Sequence, residues 1–415
     1  MSTRRRLLNT AAVAAAAVAA AIWLPGTPPA AAQSEIKVAI IAPLSGPWAR
    51  QGQLMQMGAE MAVDEINEKG GIKALGGAKL KLILADAGDT AEKAKNAAER
   101  LLSQEPDLVG ATGSWLSSFT LAVTEVTERA ELPMLTLSYS DKITERGYKF
   151  IFQTSPTGGT QSTNALPTIV QLAEKATGRK PQSVGIIMDN TAAPVSFAKP
   201  MREGGLEKLG LKLVVDEIFT PPLTDATSLV QPMRRARPDF LIFLASNIPD
   251  DKLVLEKMNE FKLGKGSIPV VANGAHIGAP DLLESVGADL LEGLMFIVAN
   301  WGAKGQEELI EKFSQRTGQP WLTQDSITTY GDMWIFKEAL EMAGSADRRK
   351  VAEAIRMLDL QSGPAALAFP GGVRFEENGR RAGAPLLIAQ WQGGKAVTIY
   401  PPEAAQAQPF WPKPE

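Results

Sequence analysis

Residues 36–71 read IKVAIIAPLSGPWARQGQLMQMGAEMAVDEINEKGG. The opening run, IKVAIIAP, is short, apolar and ends at a turn, which is the pattern of a buried strand. Ser45-Gly46-Pro47 supplies the turn chemistry. The next segment has helical spacing: Met57, Met61, Val63 and Ile66 lie on or beside one face, and Gly70-Gly71 end it. Strand, turn and amphipathic helix in this order open a βαβ unit. Trp48, placed inside the turn, is less expected there. It either packs against the sheet or meets a ligand.

The alternation continues outward from this stretch. KLKLILADAG (79–88) reads as a strand and DTAEKAKNAAERLLSQ (89–104) as a helix capped by Asp89 or Thr90. PDLVGATGSW, SFTLAVTEVTERAE and LPMLTLSYS follow as strand and loop, helix, and strand. The pattern then restarts. QSVGIIMDN is a strand, FAKPMREGGLEKLG a helix and LKLVVDEIF a strand. DATSLVQPMRRA, PDFLIFLAS, DDKLVLEKMNEFKLG and IPVVANG extend the series. Two such series predict two α/β lobes with parallel sheets flanked by helices and right-handed crossovers. A helix-rich segment runs from Gln306 to Met357. FEENGRRAGAPLLIAQWQGGKAVTIY reads as a hairpin around Gln392-Gly393-Gly394. The Pro-rich end, 401–415, reads as a tail.

The 415 residues carry a net charge of −3, with 45% hydrophobic and 21% charged residues. No broad basic surface for nucleic acid is indicated. The absence of cysteine excludes disulfides and thiolate sites, and the single histidine, His276, argues against a His-rich metal site or a Ser-His-Asp triad. An isolated histidine of this kind reads as a polar loop or surface residue. Residues 1–32 read as an export signal peptide: a basic start, MSTRRRLL, an apolar stretch from Ala11 to Leu24, and Ala30-Ala31-Ala32 before the cleavage point. Arg4-Arg5 resemble a twin-arginine signal, with an ordinary secretory signal as the alternative. The expectation is a periplasmic protein without a lipid anchor.

Ligands of open parallel sheets bind beyond the carboxyl ends of the strands. GATGSWLSS (110–118) is the most informative of those loops. Glycines let the backbone approach a ligand, and Ser117 and Ser118 fall at the start of the next helix. Their amides and hydroxyls seat a carboxylate or simply cap the helix. TLSYSDKITERG (136–147) brings Ser138, Tyr139 and Ser140 to the same edge. Trp48 and Trp115 are core aromatics or ligand-stacking walls. The Gly-rich loops match neither a phosphate-binding loop nor a dinucleotide fingerprint, so no cofactor and no metal are expected. The paired acids Asp250-Asp251 and Glu376-Glu377 read as solvated faces rather than a general acid/base pair.

IKVAIIAPLSGPWARQG, GAEMAVDEINEKGGI, GSWLSSFTLA, ITERGYKFIFQTSP and FEENGR, in that order, resemble the periplasmic leucine/isoleucine/valine-binding protein family, the solute receptors of ABC importers. The resemblance spans about residues 36–400. It implies a type I periplasmic binding fold: two Rossmann-like lobes joined by a three-strand hinge, with ligand in the cleft between them. Lobe one would hold 36–155 and 300–365, and lobe two 156–299 and 366–400. Ligand would bridge the lobes and favour the closed form, which then docks on permease subunits at the inner membrane.

By the same resemblance, Ser117 matches the serine that binds a ligand carboxylate, and Ser138 and Tyr139 fall at the positions completing that subsite. Gln51 and Trp48 share the first loop. Asn247 lies near a family tyrosine. Asn273 stands where the family has a glutamate, and an asparagine oxygen accepts a hydrogen bond without carrying charge. An ammonium buried without a charged partner costs several kcal/mol. So either an amino acid binds with its ammonium rearranged, or the ligand is a carboxylate or amide without an α-ammonium. The tryptophans and the lost acid favour the second, and Trp48 is read as a wall of the cleft. A signalling receptor subunit and an α/β hydrolase are the alternative functions.

Overall fold

The structure, a computed structural model, describes residues 35–412. The expected leader lies outside the described residues. Five strands, β1 (Glu35–Ala42), β2 (Lys79–Asp86), β3 (Gly110–Gly113), β4 (Met134–Thr136) and β5 (Ile151–Gln153), form a parallel sheet in the order β2-β1-β3-β4-β5. Alternate residues of β1 enter two different cores: Val38, Ile40 and Ala42 on one face, Ala39 and Ile41 on the other. A parallel sheet buried on both faces needs this continuous apolar run rather than an apolar–polar alternation.

A second sheet contains β6 (Ser183–Asp189), β7 (Lys212–Phe219), β8 (Phe240–Leu244), β9 (Val270–Asn273) and β10 (Met295–Val298). The short antiparallel pair β11 (Asp359–Leu360) and β12 (Val373–Arg374) stands apart from it. The hairpin β13 (Leu387–Gln392) and β14 (Lys395–Tyr400) joins it antiparallel to β10, giving the order β14-β13-β10-β9-β8-β6-β7. Leu241 and Phe243 of β8 face one core, and Phe240, Ile242 and Leu244 face the other.

Helix Gln324–Ala343 returns to the first half, crossing helix Ala49–Glu68. Gly58 sits at the crossing, where a β-carbon would lie 2.0 Å from the Ser326 carbonyl oxygen. Ser326 Oγ donates to Leu54 O at 2.8 Å and Thr329 Oγ1 to Met55 O at 2.7 Å, sealing the approach. The chain thus passes between the two sheets three times, at 154–157, 299–306 and 375–386. The third passage is bonded to the end of β5 and to the first passage: Gln153 N donates to Gly379 O, Arg381 N to Gln153 O, and Arg381 Nε to Thr154 O at 2.7 Å.

Two expectations are corrected. The helix read over 197–210 is interrupted: helix Ala192–Pro200 runs into a wide turn at 201–205, where Gly204 takes a φ of 97°. A residue there leaves the helical region, which the Gly204-Gly205 pair permits. Nor does the Pro-rich end trail away along residues 401–412. Trp411 is buried edge-on against Phe240, and Gln390 Nε2 donates to Phe410 O at 2.6 Å.

Candidate functional site

A cavity of about 420 Å³ lies where the carboxyl ends of the two sheets face each other. The first half supplies Trp115, Leu116, Ser117, Leu137, Ser138 and Tyr139. The second half supplies Ala193 and Pro194, Ala245 and Ser246, and the run Asn273 to His276. Gln324, at the start of its long helix, completes the wall. Every one of these segments follows a strand or opens a helix. That is where parallel sheets leave backbone amides and short loops free to meet a ligand.

The polar atoms are held in defined orientations. Ser117 Oγ accepts from the amides of Tyr139 and Ser140, both at 3.1 Å. A hydroxyl has two lone pairs and one proton. With both lone pairs occupied, Ser117 is left as a donor. Its helix, Ser117–Arg129, also begins here, and the first amides of a helix have no intrahelical acceptor. Gln324 Oε1 accepts from Tyr139 OH at 2.5 Å, Ala299 N at 2.9 Å and Asn300 N at 3.3 Å. The backbone amides fix that orientation, so the Gln324 amide nitrogen remains to donate. Asn273 Nδ2 donates to Ile297 O and Gln161 Oε1, both at 2.9 Å, which leaves Oδ1 as an acceptor. No aspartate or glutamate lines the cavity among the described residues.

Five of the eight residues singled out by sequence come together here: Trp115, Ser117, Ser138, Tyr139 and Asn273. The Ser138 hydroxyl, however, donates to Trp115 O at 2.9 Å and pairs with Thr120 Oγ1 at 2.6 Å, so its role is to brace the loop. Three residues stand elsewhere. Trp48 is not a cavity wall. Its ring packs edge-on against Phe119 at 5.5 Å, and Nε1 donates to Ser246 O at 2.9 Å, across to the second half. Gln51 is buried in the start of helix Ala49–Glu68 and does not line the cavity. Asn247 caps helix Ile248–Glu260: Oδ1 accepts from Asp250 N at 2.9 Å and Nδ2 donates to Asp250 Oδ2 at 2.6 Å.

Several residues were missed or misread. His276 is 2% exposed and lines the cavity, rather than sitting on the surface. Its ring meets Trp115 edge-on at 5.8 Å, and Nε2 lies 3.3 Å from Asp251 Oδ2. Asp250 and Asp251 are both fully buried, not solvated, because the first turn of their helix points inward under the cap. Burial pushes the Asp251 and Asp189 carboxyls up, and His276 partly offsets it. Burial likewise lifts Asp325 to about 7, although Trp115 Nε1 donates to it at 2.7 Å. Burial opposes charge on His276, but the carboxylates of Asp251, Asp325 and Asp189 outweigh it and raise its pKa. Beyond the cavity, Arg50 Nε meets Asp281 Oδ2 at 2.7 Å and Ser140 Oγ meets Ser196 Oγ at 3.2 Å, further ties between the halves.

The model of the family described as periplasmic binding protein matches residues 35–396. The Leu/Ile/Val-binding protein homolog 7 of Brucella melitensis is 30% identical over 402 residues, 94% of this chain and 96% of that protein. The crystal structure of a leucine-binding protein from Thermotoga maritima superposes with a TM-score of 0.74 at 22% identity, covering 88% of this chain and 97% of its own. A solute-binding protein of an ABC transporter from R. palustris, in complex with benzoate, gives a TM-score of 0.74 at 16% identity, over 90% and 98% of the two chains. These likenesses show that the fold is shared. With nearly the whole described chain matched, the protein belongs to the periplasmic binding protein family.

Proposed function

We propose that the protein is the extracytoplasmic solute receptor of an ABC importer, and that its solute is a small organic acid without an α-ammonium group. One observation carries the second part: the cavity is rich in donors and has no carboxylate wall. Ser117 Oγ–H and the Gln324 amide point to an acceptor-rich ligand, whereas the Asn273 oxygen, left as an acceptor, is neutral. An ammonium buried without a charged partner is costly. A carboxylate at the start of helix Ser117–Arg129 gains both the hydroxyl and the helix dipole. The benzoate complex of the R. palustris neighbour is in keeping with such a ligand, while the leucine-binding neighbour represents the competing class.

The same cavity argues for binding rather than turnover. Ser117 has its lone pairs on two amides, so it has none free to attack a bound group, while its O–H is free to donate. Lobe one, as we read it, is the half built on the first sheet, and lobe two the half built on the second. Ligand reaching both favours the closed form, in which Trp48 and Arg50 meet the opposite lobe. That closed form would present itself to permease subunits at the inner membrane. The periplasm is the proposed location, reached through cleavage of the leader after Ala32. Thermal-shift screening of the mature protein against amino acids and organic acids tests this reading. Strong shifts with leucine or valine and none with acids lacking an amine would overturn it.

A further inference from the structure

His276 is a buried polar group that the binding reading above leaves unused. Its ring is seated on Gly274, where a β-carbon would come within 2.6 Å of Cε1 and 2.8 Å of Nδ1. Gly274 also takes a φ of 122°, so both the space and the backbone exclude a side chain there. Both residues line the cavity. On the other edge of the ring, Nε2 faces Asp251. Both ring nitrogens are buried without a hydrogen bond; Nε2 has the Asp251 carboxylate 3.3 Å away, and Nδ1 lies on the Gly274 side of the ring. Buried polar atoms in native proteins find partners, and one left over beside a binding cavity points to a group that arrives from outside.

We infer that His276 is a specificity-determining residue that donates from Nδ1 to the solute, and that the solute therefore carries a second oxygen acceptor in addition to its carboxylate. Asp251 orients the ring from behind, as carboxylates orient histidines elsewhere. Trp115 closes the edge of the ring, and its own indole is fixed on Asp325. The remaining charged groups around the imidazole are Asp189 at the end of β6, Asp250 beside Asp251, Asp325 from the long helix, and Arg50 facing Asp325. The charge state that permits donation thus comes from groups outside the cavity wall. The class of solute is a keto, hydroxy or second-carboxyl derivative of a small acid. This inference rests on the assignment of an ammonium-free acid as ligand.

The chain holds a single histidine, so its imidazole resonances identify themselves in an untagged protein. The experiment titrates succinate against butanoate and 4-hydroxybenzoate against benzoate, by calorimetry and by imidazole NMR, in the wild type and in His276→Phe. The inference expects one oxygen-bearing acid to bind about tenfold or more tightly than its unsubstituted partner. That acid should shift the imidazole signals, and His276→Phe should collapse the gap between the two acids. Binding of an oxygen-bearing acid with unmoved imidazole signals, or an unchanged gap in the variant, would overturn the role of His276 alone. Tight leucine binding with none of the four acids bound would instead overturn the ligand class itself. The wild-type NMR arm decides the matter even if the variant fails to fold.

Discussion

Trp48 Nε1 donates to the carbonyl oxygen of Ser246 at 2.9 Å, joining residues 198 apart in sequence across the two halves of the molecule. The indole is otherwise held by Phe119 in its own half. Trp48 does not line the cavity, so in the proposed closure this bond would favour the closed form from outside the ligand site.

Trp48→Phe keeps an aromatic ring on Phe119 and removes the N–H. One neutral hydrogen bond is worth about 1 kcal/mol. The variant should bind its acid about fivefold more weakly by calorimetry, with a melting temperature close to wild type. Trp48→Ala also loses buried packing and should lose about 3–5 kcal/mol of stability. An unchanged affinity in Trp48→Phe would reduce this residue to a packing role.

Ser117→Ala removes the hydroxyl donor and the acceptor for two amides. Affinity for the acid should fall at least about tenfold, the range for a hydrogen bond to a charged group. Stability should fall by about 1–3 kcal/mol, since the amides of Tyr139 and Ser140 lose their partner. Calorimetric titration and chemical denaturation separate the two effects. A loss of stability without a loss of affinity would leave Ser117 as a brace only.

Asp325 is held near 7 by burial, against an ordinary 3.8. Between those values the folded chain keeps a proton that the unfolded chain has released, so this residue's contribution to stability falls as pH climbs through the window. Asp325→Asn keeps an acceptor for Trp115 Nε1 and cannot ionise. Its melting temperature should match wild type at pH 4 and exceed it by pH 8. A difference that does not change with pH would contradict the assignment.

Gly58→Ala places a β-carbon on the Ser326 carbonyl oxygen, a backbone atom with no room to rotate away. Overpacking of this kind costs about 1–3 kcal/mol. Chemical denaturation should show the loss.

The order of strands and helices was legible because apolar runs are bounded by turn residues and most helices carry an apolar stripe, helix Gln324–Ala343, buried all round from Gln324 to Phe336, being the exception. The edge of the sheet that holds the site followed from strand direction, which singled out Ser117 and Tyr139, whereas Asn273 came from the family resemblance. What failed was the finer direction of side chains. Trp48 and Trp115 sit in similar Gly/Ser loops, yet one turns to the opposite half and the other to the cavity. Asn247 was chosen for its place near a family tyrosine, one residue beyond Ser246 of the wall, but it caps its helix instead. His276 was set aside as a lone histidine, although it lies in the loop that follows the strand IPVVANG, at the edge where ligands of parallel sheets bind. Gln324 arrives from a distant helix, and nothing local announces it. The tail carried a signal in Phe410 and Trp411, since large aromatics in a Pro-rich end need somewhere to pack.

The most direct test of the central claim is a calorimetric titration of the untagged mature protein with leucine and with 4-methyl-2-oxopentanoate, the same skeleton with the ammonium replaced by a carbonyl oxygen. The account predicts that the oxo acid binds and leucine does not compete with it. Tight binding of leucine, with the oxo acid silent, would contradict it.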